Sequence, residues 1–557
     1  MKMSKEIYEA FESIVGSKNI SDDPAVLDTY RTILTQASNH LGPYFRVPTP
    51  RGLAVLLPGC TEEVQNIVRL CNKYKIKFKA SSTFWSSMGN ISDDNAVVLD
   101  MRRMNRIIEI DVDNRYAIIE PYVIGATLQA EAMKVGLNNC IIGAGASCSI
   151  LAGASSWAGG GPSGVFMGAQ AESLMAAEWV LPNGEIYKTG ALGSEIGWFC
   201  GEGPGPSMRA LFRGGLGNTG TMGVCTKMAI RLSPWPGPTS LMNEGTAPAY
   251  KATLPENITV YTLCFPSWKA WADAADMVFR SEVAYLAHRQ FNMFGRELKG
   301  AVMKILSTPG MSYNDLEGLL TDPKIKEQTA EMKMEFQIVI AGMTKREFEL
   351  KEKIIDRILT DTGGCKASMM EEEPDVKNWA LLYLLRLGHK ALNYTYAGGY
   401  EGCFGLNGPL DFGASHMEEA AAFKLKWELE HESIAHAGGD TAMLSLSTMG
   451  GGGGGMWEFF TVFDPHDKMS SDGACEFHLA TNKYSLEKGW GPCMGLQCVD
   501  ARSTTGYAQP PEVQEPLLKK SSQPHVFEYQ WKIREVFNPN HLGDSYYRTL
   551  KPQVQAL

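Results

Sequence analysis

Three prolines within five residues, Pro234, Pro236 and Pro238, divide this chain more sharply than any other feature of its sequence. Proline cannot donate a backbone hydrogen bond and is therefore excluded from the interior of a sheet. The chain has 557 residues, and one hydrophobic core stops growing at roughly 250–300 residues, so at least two cores are needed. The proline cluster predicts the boundary between them. The expected units are a first domain at 1–236, a second domain at 237–504 and a C-terminal segment at 505–557 that returns to the first domain.

The first domain alternates between helical and strand patterns. Residues 61–75 repeat apolar side chains at helical spacing, and Thr61 is the expected N-cap. Pro182-Asn183-Gly184 separates two apolar runs and predicts a hairpin turn. Residues 222–230 have the composition of a strand.

Longer elements follow the boundary. A strand is expected at 336–340, helices near 345–360 and 417–436, and a strand at 456–463. This order favours a layer of helices on one face of a sheet. The predicted fold class is therefore α+β.

Charge and composition exclude several classes of protein. Lys and Arg number 52 against 62 Asp and Glu, and the net charge of −10 disfavours binding to nucleic acid or to an anionic membrane surface. No window approaches the roughly 18 apolar residues of a membrane span. The 12 cysteines are scattered without a disulfide or metal-binding pattern, which is typical of a cytoplasmic protein. We expect a cytoplasmic protein with no metal site.

Glycine motifs need structural context before they indicate a nucleotide site. Residues 215–220 and 159–164 both match G-x-G-x-x-G. That motif holds a pyrophosphate only where it opens a helix after a strand. The first is followed by a strand pattern and the second by turns and more glycine, so neither predicts a Rossmann fold. Six glycines at 450–455 lack the Lys-Ser/Thr of a P-loop and are expected to form a loop at the edge of a pocket.

Five stretches, in the same order along the chain, resemble the FAD-binding domain of the vanillyl-alcohol oxidase and para-cresol methylhydroxylase flavoprotein superfamily. The superfamily also contains the glycolate-oxidase type D-2-hydroxyacid dehydrogenases. The stretches are residues 56–64, 120–123, 179–190, 211–228 and 538–542. The resemblance implies a two-lobed FAD-binding domain of the para-cresol methylhydroxylase type, with an α+β cap over the flavin.

The resemblance also implies which residues bind FAD. Residues 81–90 would hold the pyrophosphate through backbone amides and small hydroxyls, although Phe84 and Trp85 replace the usual glycines. Residues 153–164 would pass along the isoalloxazine, and Gly223 with Val224 would touch the ribose or adenine side. Residues 81–90 contain no histidine, and no histidine or tyrosine of the cap matches a linkage motif of the family. A covalent link to the flavin is therefore not expected, and we expect dissociable FAD. The cofactor-binding residues so implied are Ser81, Ser82, Thr83, Phe84, Trp85, Ser86, Ser87, Met88, Gly89, Glu120, Pro121, Gly145, Gly153, Ser156, Gly160, Gly164, Val165, Gly223 and Val224.

Candidates for catalysis follow from the anion that each substrate class presents. Relatives that oxidise phenols use Tyr and Arg to stabilise a phenolate, and relatives that oxidise hydroxyacids use Arg and His. Arginine suits either anion because its permanently charged fork binds two oxygens. The candidates are Tyr546, Tyr547 and Arg548 near the C-terminus, and Arg386 with His389 on a cap helix.

Three functions remain open on the sequence. The first is dehydrogenation of a small phenolic or aromatic substrate, with electrons passed to a separate protein or a quinone. Residues 164–170 lack the acidic residue that phenol-oxidising relatives place near the flavin, which weakens a direct transfer of their mechanism. The second is a D-2-hydroxyacid dehydrogenase without the metal motif of the glycolate-oxidase branch. The third is an electron-transfer subunit, and the chain is expected to be a homo-oligomer or part of a redox complex.

Overall fold

The computed structural model of the chain has an FAD-binding part of two lobes and a cap domain. It describes residues 3–31, 50–84, 89–142, 145–157, 161–194, 197–198, 207–212, 220–245, 250–289, 299–386, 399–409, 417–430, 443–449, 452–463, 467–469, 476, 480, 484, 487–488 and 524–544. No helix within these ranges is long and apolar enough to cross a membrane.

The first lobe is a four-stranded sheet with helices packed against it. Its elements are α1 Lys5–Val15, β1 Ile20–Ser21, α2 Pro24–Thr29, β2 Ala54–Leu56, α3 Thr61–Tyr74, β3 Lys77–Ser81 and β4 Ala96–Asp100. The strand order is β1-β2-β4-β3, in which β2, β4 and β3 are parallel. Helix α3 forms as its apolar spacing predicts, and Val64 and Ile67 lie fully buried in the core with Phe78. The predicted N-cap is wrong: Cys60 occupies the N-cap position, without a capping hydrogen bond from its side chain, while Thr61 is the first helical residue and donates its hydroxyl to Glu178 of the second lobe.

The second lobe is a five-stranded antiparallel sheet in the order β5-β6-β10-β8-β9. Its elements are β5 Ile107–Asp111, β6 Tyr116–Ile119, α4 Gly125–Met133, β7 Leu137–Asn138, α5 Ile150–Ala152, α6 Gly164–Met167, β8 Leu174–Val180, β9 Ile186–Lys188, α7 Met208–Phe212 and β10 Val224–Arg231. The hairpin predicted at Pro182-Asn183-Gly184 is confirmed, with Gly184 at φ +87°. The strand after Gly220 is confirmed as β10. A one-turn helix, α6, replaces the turns expected after Gly164.

The cap domain has a seven-stranded sheet at its centre. Its elements, with those that lead into it, are β11 Ser233–Pro234, β12 Asn243–Gly245, β13 Tyr250–Ala252, β14 Ile258–Cys264, α8 Trp268–Arg280, β15 Leu286–Arg289, α9 Lys299–Ser307, α10 Leu316–Thr321, α11 Pro323–Glu331, β16 Glu335–Ala341, α12 Lys345–Thr362, β17 Cys365–Lys366, α13 Ser368–Glu372, α14 Pro374–Arg386, β18 Gly399–Pro409, α15 Met417–Glu430, β19 Met443–Met449 and β20 Gly452–Phe463. The strand order is β17-β14-β16-β15-β19-β20-β18, and each pair is antiparallel.

Two sequence interpretations of the cap are corrected. Helices cover both faces of the sheet and not one: Tyr261 donates a hydrogen bond of 2.7 Å to Glu352 of α12, while its neighbour Val260 packs in a cluster with Trp379 of α14. Successive side chains of a strand point to opposite faces, so α12 and α14 lie on opposite sides. The glycines at 452–455 form the start of β20 and not a loop, because their backbones pair with β19 on one side and, at Gly454 and Gly455, with β18 on the other.

The C-terminal part that the structure describes lies against the first domain. Helix α16 Pro524–Phe537 packs Ile533 and Phe537 into the core of the second lobe. The turn that follows reaches β3, where the Phe78 amide donates to the Leu542 carbonyl at 2.9 Å. The domain limits themselves stay a prediction.

Candidate functional site

The connection between β3 and β4 contains the residues predicted to bind pyrophosphate. Ser81 ends β3, and its hydroxyl donates a hydrogen bond of 2.6 Å to the carbonyl of Gly89. A Cβ atom at Gly89 would lie 2.7 Å from the Ser81 Oγ, so glycine is needed for this closure. Phe84 takes a φ of +49°, which is rare for a residue with a side chain, and its ring packs edge-on against Tyr30 at 5.3 Å. The Ser81–Gly89 hydrogen bond therefore closes residues 81–89, the first part of the connection, into a loop.

The side chain of Asn90, directly after this closure, indicates whether a polar ligand fits here. Its side chain is 3% exposed, and neither its amide nitrogen nor its amide oxygen has a hydrogen-bond partner within the described ranges. A buried amide without partners is destabilising by about 1–3 kcal/mol. A polar ligand at this connection would supply both partners, so these residues fit a cofactor that has phosphate and other polar groups.

Ser149 joins the segment after Gly145 to the pyrophosphate connection. Its backbone amide donates to the Thr83 hydroxyl at 3.2 Å, and its own hydroxyl donates to the Pro121 carbonyl at 2.6 Å. The same hydroxyl accepts from the Ala152 amide at 3.0 Å and so caps α5. Sequence reasoning missed Ser149. A serine directly before a short apolar run is the signal of an N-cap that could have found it.

Glu120 has a partner within the chain. Its carboxylate is 1% exposed and forms a two-pronged ion pair with Arg106, with bonds of 2.7 and 3.1 Å. The backbone amide of Arg106 donates to the same carboxylate at 2.9 Å. The ion pair therefore fixes the backbone next to Pro121, whose carbonyl accepts the hydrogen bond of Ser149. Direct contact of Glu120 and Pro121 with FAD stays a prediction.

Gly153 gives space to a neighbouring side chain. A Cβ atom at Gly153 would lie 2.0 Å from the Oε1 of Gln170, which is buried and donates through Nε2 to the Cys140 carbonyl at 2.9 Å. Gly153 opens a π-helical turn at 153–157, an arrangement frequent at functional sites. Ser156, in the same turn, lies 3.4 Å from the Ser155 hydroxyl. Burial raises the pKa of the Cys140 thiol to about 11, so it stays protonated at neutral pH.

Helix α6 brings the predicted flavin-facing residues against the cap. Gly164 and Val165 are buried in this helix, which packs on strands β15 and β19. The Ala287 amide of β15 donates to the Pro162 carbonyl at 3.0 Å. The structure thus brings Gly164 and Val165 to the junction of the two domains, where substrate could meet both the cofactor and the cap.

Strand β15 contributes a histidine that sequence reasoning missed. His288 is 3% exposed and lies in register between Gln337 of β16 and Ser445 of β19. Gln337 donates to the Thr262 hydroxyl at 3.2 Å, while its own Oε1 has no partner in the described structure. Thr262, Gln337 and His288 thus lie in register across three strands of the sheet. A single histidine within an apolar run carries no sequence signal of this kind.

Gly223 and Val224 lie at the start of β10. Gly223 has a φ of +94°, and a Cβ atom there would lie 2.1 Å from the Val180 carbonyl. Val224 pairs with Val180 of β8. The requirement for glycine is thus explained by backbone packing, and the proposed contact with the ribose or adenine side stays a prediction.

The remaining predicted residues lie outside what the structure describes. Arg386 ends helix α14, and its side chain is among them. The others are Trp85, Ser86, Ser87, Met88, Gly160, His389, Tyr546, Tyr547 and Arg548. Ser82 and Thr83 lie in the described part of the pyrophosphate connection, where Thr83 accepts from Ser149. Among described residues, no group of three His, Cys, Asp or Glu side chains could hold a metal ion.

Comparison with known proteins agrees with this geometry. Residues 52–190 match a family model described as an FAD binding domain. The chain is 29% identical over 247 residues to the 4-cresol dehydrogenase [hydroxylating] flavoprotein subunit of Pseudomonas putida, which covers 41% of this chain and 42% of the relative. It is 26% identical over 236 residues to a glycolate oxidase subunit of Bacillus subtilis, covering 42% of this chain and 46% of the relative. The alignments thus span less than half of these relatives.

Solved structures extend the likeness to the whole chain. A p-cresol methylhydroxylase with bound substrate superposes with a TM-score of 0.69 at 16% identity, over 97% of this chain and 96% of the other. A 4-ethylphenol oxidase from Gulosibacter chungangensis gives a TM-score of 0.68 at 17% identity, over 99% of both chains. At these identities the likeness establishes the fold.

The fold and the site define a flavoprotein with an FAD-binding domain of the para-cresol methylhydroxylase type beneath an α+β cap, and FAD is its cofactor. Residues 52–190 match an FAD binding domain, and in sequence and fold the chain resembles the vanillyl-alcohol oxidase and para-cresol methylhydroxylase superfamily of FAD-linked oxidoreductases. The α+β fold class and the cofactor expected from the sequence are both confirmed.

Proposed function

We propose that this chain is an FAD-dependent dehydrogenase that oxidises a small phenolic or aromatic substrate and passes the electrons to a separate protein or a quinone. The observation that carries the proposal is the junction of α6 with β15 and β19, where the predicted flavin-facing Gly164 and Val165 meet the cap. Whole-length likeness to p-cresol methylhydroxylase and to 4-ethylphenol oxidase supports the phenolic class.

Each part of the chain has a separate task in this reaction. Bound FAD supplies the acceptance of a hydride equivalent, which no side chain can perform. Asn90 and the Ser81–Gly89 closure hold the polar end of the cofactor. The cap strands β15 and β19 exclude water from the reacting face and orient the substrate ring. Tyr546, Tyr547 and Arg548 stabilise the phenolate, since an arginine fork and phenol hydroxyls donate to a developing oxyanion.

A D-2-hydroxyacid dehydrogenase is the second candidate, and two observations favour it. The glycolate oxidase subunit and a D-lactate dehydrogenase of Anaerostipes hadrus, 30% identical over 177 residues, covering 32% of this chain and 35% of the relative, resemble the chain about as closely as the cresol enzyme. The cap also contains the buried His288, a residue type suited to accepting a hydroxyl proton. In this reading Arg386 and His389 bind the carboxylate and the hydroxyl.

Spectroscopy of the purified protein tests the proposal in two steps. Acid precipitation is expected to release a yellow supernatant, because the link to FAD is dissociable. Under anaerobic conditions, a 4-alkylphenol or an aromatic alcohol is then expected to bleach the flavin absorbance. Bleaching by D-lactate or glycolate alone would replace the first candidate with the second. Reduction only by a redox protein would indicate an electron-transfer subunit.

A variant at Arg548 separates substrate binding from general loss of activity. Arg548→Lys keeps the charge but loses the two-pronged geometry, so the KM for a phenol is expected to rise roughly tenfold while FAD stays bound. Arg115→Lys, in the hairpin between β5 and β6, is the matched control. An unchanged KM in Arg548→Lys would remove Arg548 from the site.

A further inference from the structure

The C-terminal segment and the pyrophosphate connection are held together by one carboxylate. Asp544 is 2% exposed, and its Oδ2 accepts a hydrogen bond of 2.7 Å from the backbone amide of Ser92. Its Oδ1 accepts a second, short bond from the Ser92 hydroxyl. Ser92 lies two residues after Asn90, whose side chain has no hydrogen-bond partner among the described residues. The Ser92–Asp544 pair therefore joins positions 452 residues apart.

The backbone around Asp544 is fixed independently of its side chain. The Asp544 amide donates to the Phe78 carbonyl at 2.9 Å, so the segment extends the edge of β3. Asn538 closes the turn by donating to the Gly543 carbonyl at 2.8 Å and accepting from the Gly543 amide at 3.1 Å. A Cβ atom at Gly220 would lie 2.3 Å from the Asp544 carbonyl, so a third segment meets here.

We infer that Asp544 is a positioning residue for the cofactor: its carboxylate holds the end of the pyrophosphate connection in place, and FAD binding is thereby coupled to docking of the C-terminal segment. The physical reason is that a connection held at one end by Ser81–Gly89 and at the other by Ser92–Asp544 loses less entropy when FAD orders it. Coupling is reciprocal, so FAD must stabilise the docked segment by the same factor that the segment improves FAD binding. The inference rests on the proposed role of residues 81–90 in binding FAD.

Two variants are expected to weaken this coupling to different extents. Asp544→Asn keeps the shape of the side chain but loses the charge that receives two donors, and FAD binding is expected to weaken roughly tenfold. Ser92→Ala removes only the hydroxyl bond and is expected to weaken binding about threefold. The double variant is expected to bind FAD no more weakly than Asp544→Asn, because both changes break one interaction. Independent effects would instead multiply, and that result would overturn the inference.

The control separates coupling from general instability. Asp322→Asn makes the same chemical change in the cap, where the carboxylate receives the Lys324 amide at 2.8 Å and the Ile325 amide at 3.4 Å. It is expected to leave FAD affinity unchanged. The apoprotein of each variant is titrated with FAD and followed by flavin fluorescence.

Hydrogen exchange supplies a measurement that does not depend on activity. In the wild type, FAD is expected to slow amide exchange in the peptide that contains 538–544, and Asp544→Asn is expected to lose this slowing. If FAD binds but does not slow the exchange, or if Asp544→Asn binds FAD with wild-type affinity, the inference is wrong while the proposed function stands. If the wild type fails to bind FAD at all, the assignment of the cofactor site fails first.

Discussion

Asn138 of the FAD-binding domain donates a hydrogen bond of 3.0 Å to the phenol oxygen of Tyr285 in the cap. The same phenol donates to the carbonyl of Pro234 at 3.3 Å, within the proline cluster that separates the domains. The Tyr285 ring also contacts Phe166 of α6 at 5.1 Å. Burial raises the pKa of Tyr285, so the phenol remains a neutral donor and acceptor at any physiological pH. The Tyr285 side chain thus contacts the FAD-binding domain, from within the cap, and the proline cluster between them.

Tyr285→Phe is expected to lower the free energy of unfolding by about 1–3 kcal/mol, because the buried Asn138 amide would lose its partner. Urea denaturation measures this change. Tyr74→Phe is the control, since its hydroxyl has no hydrogen bond among the described contacts. Equal stability of Tyr285→Phe and the wild type would mean that water replaces the phenol and that the bond does not hold the domains together.

Gly223→Ala is expected to be far more damaging than Gly136→Ala. Both glycines have positive φ, +94° and +76°, so both substitutions strain the backbone by about 1–2 kcal/mol. A Cβ atom at Gly223 would meet a fixed backbone atom, the Val180 carbonyl, while a Cβ atom at Gly136 would meet no described atom within 4 Å beyond its own chain neighbours. Thermal melts of apoprotein and FAD-bound protein compare the two. Similar melting temperatures would show that β10 shifts to make room.

Gly153→Ala is expected to displace Gln170, because the new methyl group would overlap its Oε1. The atom in the way belongs to a side chain, so Gln170→Ala in the same protein should remove the conflict. The double variant is therefore expected to be more stable, and to hold more FAD, than Gly153→Ala alone. FAD content per protein and the melting temperature measure the coupling. A double variant that is worse than either single variant would show that Gly153 faces something other than Gln170.

Lys79→Met is expected to stabilise the protein at neutral pH. Lys79 is buried, and desolvation lowers its pKa to about 8, an effect partly opposed by Asp544. Between pH 8 and the ordinary lysine pKa of 10.5 the unfolded chain holds a proton that the folded chain has lost, so the free energy of unfolding rises with pH across this window. The unfavourable contribution below pH 8 is on the order of 3 kcal/mol, and methionine removes it.

Denaturation of Lys79→Met and the wild type at pH 7 and pH 10 checks the sign. The variant is expected to be the more stable protein at pH 7, and the difference should shrink at pH 10. Lys77→Met, two residues earlier on β3, controls for removing a lysine from this strand. A variant that is less stable at both values would mean that the Lys79 bond of 3.3 Å to the Asp544 carbonyl outweighs the cost of burying its charge.

Elements with strong local patterns were predictable. Helix α3, the hairpin at Gly184 and strand β10 were predictable because each depends on residue spacing or turn chemistry among a few neighbouring positions. FAD and the two-domain architecture followed from five short motifs in order. The motif predicts Gly223 as a site residue, but only the structure shows the steric reason for glycine there, the nearby Val180 carbonyl.

Elements that depend on distant partners were not predictable. Thr61 lies inside α3 and not at its N-cap position, and its hydroxyl bonds to Glu178, 117 positions away. The glycines of β20 became a strand because β18 and β19 offer backbone partners on both sides, although glycine disfavours strands when isolated.

The sequence by itself determined the class of protein, the cofactor and the approximate elements, because periodicity, turn residues and short motifs act over neighbouring positions. Only the tertiary structure decided which polar groups meet: Asn138 meets Tyr285, Asp544 meets Ser92, and Asn90 has no partner among the described residues. The physical reason is that a hydrogen bond between residues far apart in sequence depends on how the sheets pack, and no local pattern encodes that distance.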